Sequence, residues 1–243
     1  MGLKRFLIAW RRMICENLGI DRYSRPSLHA LDRKLEKYLS QRNGFFIEAG
    51  ANDGYSQSNT YYFEKIKNWR GILIEPMPQL AEKCRKIRPR SSIYQCALVA
   101  EEYPDDRVSM IYAGLMSLVS GARKSSKEDW KHVEEGIRIQ PSAAASYEIT
   151  VPARTLTSIL EEVGPPKIDF FSLDVEGFEL EVLKGLDLDR FRPEFILVEA
   201  SYPEEIKPYL AEYEYGLIEQ LTHHDLLYRD IQKNDPSGSW PDK

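Results

Sequence analysis

The sequence predicts an α/β fold in which a mostly parallel sheet is covered by helices on both faces. Short apolar runs typical of buried strands alternate with segments of helical periodicity along the chain. One such run, Phe45-Phe46-Ile47, ends on Glu48 and passes into a glycine turn at residues 50–54. A strand that leads through a glycine turn into a helix is how α/β proteins bind nucleotide-like ligands. With 243 residues, 42% of them hydrophobic, the chain suffices for one such domain.

Residues 1–42 precede the first predicted strand and are expected to form an N-terminal amphipathic helical extension. Apolar residues recur there at helical spacing, beside four basic residues, and form a stripe: Leu3, Phe6, Leu7, Trp10, Ile14 and Leu18. Arg11-Arg12 interrupts the apolar run too early for a signal peptide. The favoured interpretation is a helix packed on the domain or on a second subunit of a homodimer. The alternative is a peripheral membrane helix at residues 1–20, since basic and aromatic residues are typical of interfacial helices.

Residues 43–230 contain the predicted elements of the domain. Strands are expected at 45–48, 71–75, 93–98, 147–152, 168–174 and 195–199, followed by an antiparallel pair at 213–219 and 226–230. Helices are expected at 56–67 (capped by Ser56 or Ser58), 78–87, 156–162 (capped by Thr155) and 178–185 (ending at Gly185).

Two segments are less regular. Residues 100–146 include a possible strand at 107–113 and are expected to be an insertion or lid over the site, or else a disordered surface loop. Residues 231–243 are expected to be a flexible tail.

Composition excludes some classes of protein. A net charge of −5 argues against nucleic acid as a partner. The three cysteines, Cys15, Cys84 and Cys96, are scattered and odd in number, which argues against a disulfide framework. We therefore expect a cytoplasmic protein, peripheral at the inner membrane face if the N-terminal helix binds membrane.

The glycine turn has the pattern E-x-G-x-x-x-G rather than the G-x-G-x-x-G of dinucleotide-binding enzymes. A carboxylate at Glu48 repels phosphate and attracts a cation. S-adenosylmethionine carries an α-amino group and a sulfonium but no phosphate, so the pattern favours this cofactor over NAD. Glu75 ends the next strand 21 residues after Gly54, a spacing that suits a carboxylate bound to ribose hydroxyls. An NAD-dependent oxidoreductase remains the alternative from another enzyme class.

Four segments, EAGANDG, GILIEP, ARTLTSIL and IDFFSLDVEGFELEVLKGL, resemble the FkbM-type methyltransferases. The similarity spans roughly residues 44–230 and is most specific at 174–185. It implies a Rossmann-like, seven-stranded methyltransferase sheet, mostly parallel with the last strand antiparallel. It also implies S-adenosylmethionine-dependent transfer of methyl groups to hydroxyls of sugars or macrolide-type natural products.

The resemblance also assigns the cofactor site. The residues that it places around S-adenosylmethionine are Glu48, Gly50, Asn52, Gly54, Glu75 with the adjoining Pro76, Ala97 beside the adenine, and Asp174 near the methionine end. It does not extend to the insertion or the N-terminal helix, so it leaves the acceptor open.

An alcohol is a poor nucleophile and needs a positioned base or a metal. The candidates are Asp174, Glu176, Glu199 and the pair His223-His224. We predict Asp174 and His223 as catalytic residues, and Asp174 with Glu199 as ligands of a divalent metal such as Mg²⁺ if one is used. Glu176 has an alternative role at the start of a helix. Glu179 and Glu181 are expected to be solvated helix positions, and Ser117 to shape a loop.

The sequence thus predicts an S-adenosylmethionine-dependent O-methyltransferase that acts on a sugar or glycan. A methyltransferase for small natural products is the nearest alternative. A non-catalytic, membrane-associated scaffold that keeps the fold is a further one.

Overall fold

The computed structural model describes residues 3–113, 117–123, 125–139, 146–165 and 167–232. Its strands are β1 (Phe45–Ala49), β2 (Arg70–Ile74), β3 (Ser92–Tyr94), β4 (Ala97–Leu98), β5 (Arg107–Tyr112), β6 (Leu118–Val119), β7 (Tyr147–Arg154), β8 (Phe170–Leu173), β9 (Phe195–Glu199), β10 (Tyr215–Gln220) and β11 (Asp225–Asp230). Its helices are α1 (Leu3–Asn17), α2 (Leu31–Leu35), α3 (Tyr61–Lys67), α4 (Pro78–Ile87), α5 (Ser126–Ile139), α6 (Leu156–Val163), α7 (Glu179–Lys184) and α8 (Pro203–Glu212).

The main sheet has seven strands in the order β3-β2-β1-β8-β9-β11-β10. Neighbouring strands among β3, β2, β1, β8 and β9 pair in parallel. Strand β11 runs antiparallel to both of its neighbours, β9 and β10. The predicted seven-stranded, mostly parallel fold is therefore confirmed, including its antiparallel last strand. Because β1, β2, β8 and β9 are parallel, their carboxyl ends meet at one edge of the sheet, where α/β proteins bind ligands.

Two apolar clusters fill the space between the sheet and its helices. Alternate residues of a strand point to opposite faces, so Phe46 belongs to one cluster and Ile47 to the other. The cluster around Phe46 also contains Leu31, Leu35 and Leu39. The predicted N-terminal extension at residues 1–42 thus contributes its last part to the core of the domain.

A second sheet of four strands, in the order β4-β7-β5-β6, corrects the expectation for two segments. The predicted strand at 93–98 is split, because residues 97–98 leave the main sheet and pair with β7. Residues 147–152 form a strand, as predicted, but that strand pairs with β5 over six positions. An apolar cluster that includes Met110, Leu118 and Val133 supports this second sheet. The described part of the 100–146 insertion is therefore packed structure rather than an irregular loop.

The predicted helix at 56–67 starts later than expected, at Tyr61. Its N-cap residue is Thr60, without a side-chain cap, rather than the predicted Ser56 or Ser58; the hydroxyl of Ser58 accepts a hydrogen bond from the main-chain N–H of Tyr61 (3.1 Å) just before the helix. Thr155 caps α6 as predicted, accepting from the N–H of Ser158. The predicted helices at 78–87 and 178–185 are confirmed as α4 and α7. The tail from residue 233 onward lies outside the described residues.

The structure bears on one part of the interpretation favoured for α1, the packing of its apolar stripe on the domain. Leu7, Trp10 and Leu18 of the predicted apolar stripe are all exposed, and the side chains of Leu3 and Phe6 lie outside those described. These three residues are therefore not packed on the domain, and packing of the stripe on a second subunit stays a prediction. Within the described residues, no helix has the length and apolar character needed to cross a bilayer.

Candidate active site

The glycine turn lies at the carboxyl edge of the sheet, between β2 and β8. The N–H groups of Gly50 and Ala51 both donate to the carbonyl oxygen of Ile74 at 3.1 Å. Gly50 has φ +82°, and a Cβ atom at this position would lie 1.8 Å from the carbonyl oxygen of Asp174. Only glycine allows this approach, which brings the turn against the residue that follows β8.

Gly54 has a different role from the one implied by the resemblance. Its φ is +80°, but it does not line the cleft; a Cβ there would lie 3.1 Å from atoms of Cys84 and Arg88. Gly54 therefore lets the turn pack on α4, and its direct contact with a cofactor stays a prediction.

Glu48 is buried and bound by protein donors. Its carboxylate accepts hydrogen bonds from the hydroxyls of Ser58 (2.9 Å) and Thr60 (2.6 Å) and from the N–H of Asn59 (2.9 Å). The guanidinium of Arg88, which is fully buried, lies 3.5 Å away. The cation that the sequence predicted beside Glu48 is thus found in the protein itself. Glu48 lines the cleft while it fixes the rim at residues 58–60, and its contact with a cofactor stays a prediction.

Glu75 lies where the sequence places it, at the end of β2, with a relative exposure of 5%. Its two carboxylate oxygens accept from the N–H of Asn52 (2.7 Å) and from the N–H of Met77 (2.9 Å). Burial raises the pKa of Glu75 to about 7. Each oxygen keeps further acceptor capacity, which suits two neighbouring ribose hydroxyls.

These residues surround one cleft with a volume of about 270 Å³. The predicted cofactor residues that line it are Glu48, Gly50, Asn52, Glu75, Pro76, Ala97 and Asp174. Apolar side chains beside them, such as Leu80, Leu98 and Met110, provide a surface for a flat ring. The cleft therefore combines a polar ribose site and an apolar ring site, which together fit an adenosine moiety.

Sequence reasoning missed several lining residues: Leu28, Ser56, Gln57, Asn59 and Ser172. Leu28 comes from the N-terminal segment, where Ser27 bridges to Gln57 and its hydroxyl donates to the side-chain oxygen of Asn59 (2.5 Å). No local pattern marks these positions, because they meet only through contacts between distant segments.

Asp174 and Glu199 form a hydrogen-bonded carboxyl pair at the ends of β8 and β9. Burial, and then the charges of Glu199, Glu176 and Glu179, raise the pKa of Asp174 well above its usual range. Burial, together with the charges of Asp225 and Glu176, raises the pKa of Glu199 to about 7. The two groups therefore share a proton: Asp174 is protonated and donates to the carboxylate of Glu199.

A metal at Asp174 and Glu199 finds no support in this arrangement. In the described portion of the chain, no three His, Cys, Asp or Glu side chains come together as metal ligands. The shared proton holds the carboxyl groups of Asp174 and Glu199 together, so no metal ion is needed to offset their repulsion. Glu176, which has φ +58° in the following turn, lies 3.5 Å from the guanidinium of Arg123.

His223 is not placed as the sequence predicted. The turn between β10 and β11 lies at the same edge as Glu199, because Asp225 pairs opposite that residue. The rings of His223 and His224 are exposed, however, and meet edge to face with centroids 4.8 Å apart. Neither lines the cleft, so the structure gives no support to a catalytic role for His223.

Glu179 is a second correction. It is 1% exposed rather than solvated, it accepts from the N–H of Gly177 (2.7 Å), and burial raises its pKa to about 7. Glu181 behaves as predicted, pairing with Lys184 on the exposed side of α7. Glu179 is thus a further buried acid, and its charge helps to raise the pKa values of both Asp174 and Glu199.

The insertion reaches Glu176, which follows Asp174 in the chain, through Arg123. Its guanidinium lies 3.5 Å from Glu176 and 3.4 Å from the hydroxyl of Ser201, while its N–H donates to Asp129 (3.0 Å). Ser117 also lines the cleft, and its hydroxyl accepts from the N–H of Ala113 (3.0 Å). The insertion therefore forms part of the site, opposite the glycine turn.

Comparison with known proteins identifies the class of protein to which this chain belongs. The model of the methyltransferase FkbM domain matches residues 48–228. Methyltransferase sdnD of Sordaria araneosa is 26% identical over 193 residues, covering 68% of this chain and 70% of the relative. Similar solved structures include a TehB-like S-adenosylmethionine-dependent methyltransferase from Corynebacterium glutamicum (TM-score 0.40, 9% identity, 91% of this chain and 95% of that chain). Another is a methyltransferase from Geobacter sulfurreducens (TM-score 0.43, 12% identity, 91% and 88%).

The chain belongs to the FkbM methyltransferase family. It is an S-adenosylmethionine-dependent methyltransferase, and the oxidoreductase alternative is thereby dropped.

Proposed function

We propose that this methyltransferase transfers a methyl group to a hydroxyl oxygen of a sugar or glycan. The observation that carries the proposal is the proton-sharing pair Asp174–Glu199, which lies in the cleft beside the glycine turn. The main chain of Asp174 contacts Gly50, so the pair and the cofactor turn are held together by the fold.

The cleft residues fit S-adenosylmethionine. The carboxylate oxygens of Glu75 suit the ribose hydroxyls, and Gly50 lets the main chain of Asp174 lie directly against the glycine turn. The acids Asp174, Glu176 and Glu199 provide a negative environment for a cationic ligand. When bound, the cofactor supplies a methyl group already activated by its sulfonium.

The acidic pair supplies the base that an alcohol requires. The acceptor hydroxyl must lose its proton as the new carbon–oxygen bond forms. Glu199 is the ionised member of the pair, and its pKa of about 7 makes it a suitable proton acceptor near neutral pH. Asp174, as hydrogen-bond donor, holds the carboxylate of Glu199 in place.

The groups around the pair favour an acceptor rich in hydroxyls. Glu176 and Glu199 accept hydrogen bonds, while Gln57 and Asn59 can donate and accept. Carboxylates repel an anionic acceptor and bind hydroxyl donors well, which supports a neutral sugar over a phosphorylated one.

Acceptor profiling with isotope-labelled S-adenosylmethionine tests the proposal. The panel contains free sugars, oligosaccharides, natural-product alcohols, and amine and thiol analogues of the best acceptor. We expect label in an O-methyl group on a sugar or glycan, and greatly slowed transfer by Asp174→Asn. Preferred transfer to a non-sugar alcohol supports the natural-product alternative, and transfer only to amines or thiols contradicts the proposal. Cofactor binding without turnover on any acceptor supports the scaffold alternative. A parallel assay in excess EDTA tests whether the reaction uses a divalent metal. Loss of activity would show that it does.

A further inference from the structure

Helix α1 is attached to the domain by its polar side. The guanidinium of Arg12 lies 3.9 Å from the ring centroid of Tyr55, and the hydroxyl of Tyr61 donates to Glu16 (2.8 Å). Ser24 also donates to Glu16 (3.1 Å). Arg12 and Glu16 are four residues apart, so they lie on one face of the helix, and this face rests on the domain.

The opposite side of α1 is apolar and exposed. The exposed fractions are 47% for Leu7, 65% for Ile8, 51% for Trp10 and 50% for Met13. An amphipathic helix of a globular protein normally buries its apolar side and exposes its polar side. The reversed arrangement here leaves four exposed apolar side chains, together called the α1 surface below, that require another covering.

The charge of α1 indicates what covers this surface. The helix contains Lys4, Arg5, Arg11 and Arg12 but a single acid, Glu16, which gives a net charge of +3. The whole chain carries −5, so α1 is opposite in sign to the chain as a whole. Pairing of two α1 surfaces would bring two such clusters of cations together, and their repulsion opposes a symmetric dimer through this helix.

We propose that the α1 surface binds an anionic lipid bilayer, with its apolar side chains inserted at the interface and the net positive charge of the helix attracting the lipid head groups. A helix with Trp and Leu on one side and basic residues beside them has the composition of interfacial membrane helices. Its attachment through Arg12 and Glu16 keeps the apolar side turned outward, so no rearrangement of the domain is needed for binding.

The same contacts bring the membrane-binding helix close to the catalytic cleft. Tyr55 follows directly after the glycine turn, and its hydroxyl donates to the carbonyl oxygen of Tyr23 (3.0 Å). A few residues further along, Leu28 lines the cleft. The membrane contact is therefore connected to the cofactor turn through short, ordered segments.

Vesicle flotation with the full chain tests the proposal. Vesicles of phosphatidylcholine alone are compared with vesicles that also contain phosphatidylserine, at low and high salt. We expect binding to the anionic vesicles that weakens at high salt, since part of the attraction is electrostatic. Trp10→Glu should weaken this binding by roughly tenfold or more, because it removes an apolar anchor and adds a repelled charge.

Trp130→Glu is the matched control. Trp130 is also a helical tryptophan, with an exposed fraction of 41%, but it lies on α5. We expect it to bind vesicles as the wild type does. Both variants should keep the wild-type melting temperature and the wild-type affinity for S-adenosylmethionine, which separates this proposal from the proposed function.

Three results would overturn the membrane assignment. One is absence of binding by the wild type to either vesicle. Another is equal binding by the wild type and Trp10→Glu. The third is a dimer, seen by sedimentation velocity, that Trp10→Glu dissociates while vesicles bind nothing; this result would assign the α1 surface to a second copy of the chain.

Discussion

The two walls of the cleft are built in different ways. The glycine-turn wall, residues 48–54 and 74–76, consists largely of main chain packed against main chain, as in the contact of Gly50 with the carbonyl of Asp174. The acidic wall, Asp174, Glu176 and Glu199, consists of charged side chains held by neighbours from distant segments, including Arg123. The structure of the glycine-turn wall therefore depends on close packing, whereas the properties of the acidic wall depend on which of its carboxyl groups are protonated. Substitutions on the glycine-turn wall should reduce stability and cofactor binding, whereas substitutions on the acidic wall should reduce the rate of the reaction.

The largest effect is expected from Gly50→Ala. The new methyl group would overlap the carbonyl oxygen of Asp174, so the turn must move, and we expect a loss of more than about 3 kcal/mol in the free energy of unfolding. Urea denaturation and calorimetry with S-adenosylmethionine measure this loss and the accompanying loss of binding.

Gly121→Ala is the matched control for that variant. Gly121 has a similar φ of +89°, but nothing lies within 4 Å of a Cβ there, so only the backbone cost of about 1–2 kcal/mol is expected. Equal effects of the two substitutions would show that the close approach at Gly50 is unimportant.

Asp174→Asn should act on catalysis more than on folding. The amide can still donate to Glu199, but the shared proton is lost, and we expect kcat to fall by about 100-fold or more. Thermal melting should stay close to the wild type. A variant with normal kcat would remove the acidic wall from the reaction.

Glu75 should make cofactor binding depend on pH. Its pKa of about 7 in the protein without cofactor means that it is increasingly protonated below that pH, whereas ribose hydroxyls bind its ionised form. The dissociation constant should thus rise by about tenfold per pH unit below 7 and stay constant above it. Calorimetry across this range tests the prediction, with proton release on binding as a second readout.

Glu75→Gln is the control for the pH dependence. It should weaken binding of S-adenosylmethionine and remove the contribution of this carboxyl group to the pH dependence of binding. The contributions of the other buried acids remain. If its pH profile matches that of the wild type, Glu75 does not bind the ribose.

The smallest effect is expected from Arg123→Ala. The ion pair with Glu176 is partly exposed, so its loss should cost no more than about 1 kcal/mol. We expect the acceptor KM to rise a few-fold with an unchanged cofactor dissociation constant. A change in the cofactor dissociation constant instead would contradict the assignment of Arg123 to the acceptor side of the cleft.

Sequence reasoning worked best for the glycine-turn wall. Gly50, Asn52 and Glu75 are marked by local signals, namely a glycine pattern and an acid at the end of an apolar run. Parallel strands bring such ends to one edge, so local patterns were enough to predict which residues meet there.

Sequence reasoning failed where placement depends on long-range contacts. The split of residues 93–98 depends on pairing with β7, which lies about 50 residues further along the chain. The burial of Glu179 depends on the turn at Gly177, and the exposure of His223 on the β10–β11 turn. A carboxylate or an imidazole looks the same in sequence whether it is buried or solvated, so these positions carried no local signal.

The most direct test of the account is the product of a single turnover with ¹³C-methyl-labelled S-adenosylmethionine and the best sugar acceptor. Wild type, Asp174→Asn and Glu199→Gln are compared, and the labelled carbon is assigned by NMR. We predict an O-methyl signal on one sugar hydroxyl for the wild type, and greatly slowed formation of this signal for both variants. Label on nitrogen, sulfur or carbon, or equal rates in all three proteins, would contradict the assignment of the acidic pair as the base for a hydroxyl acceptor.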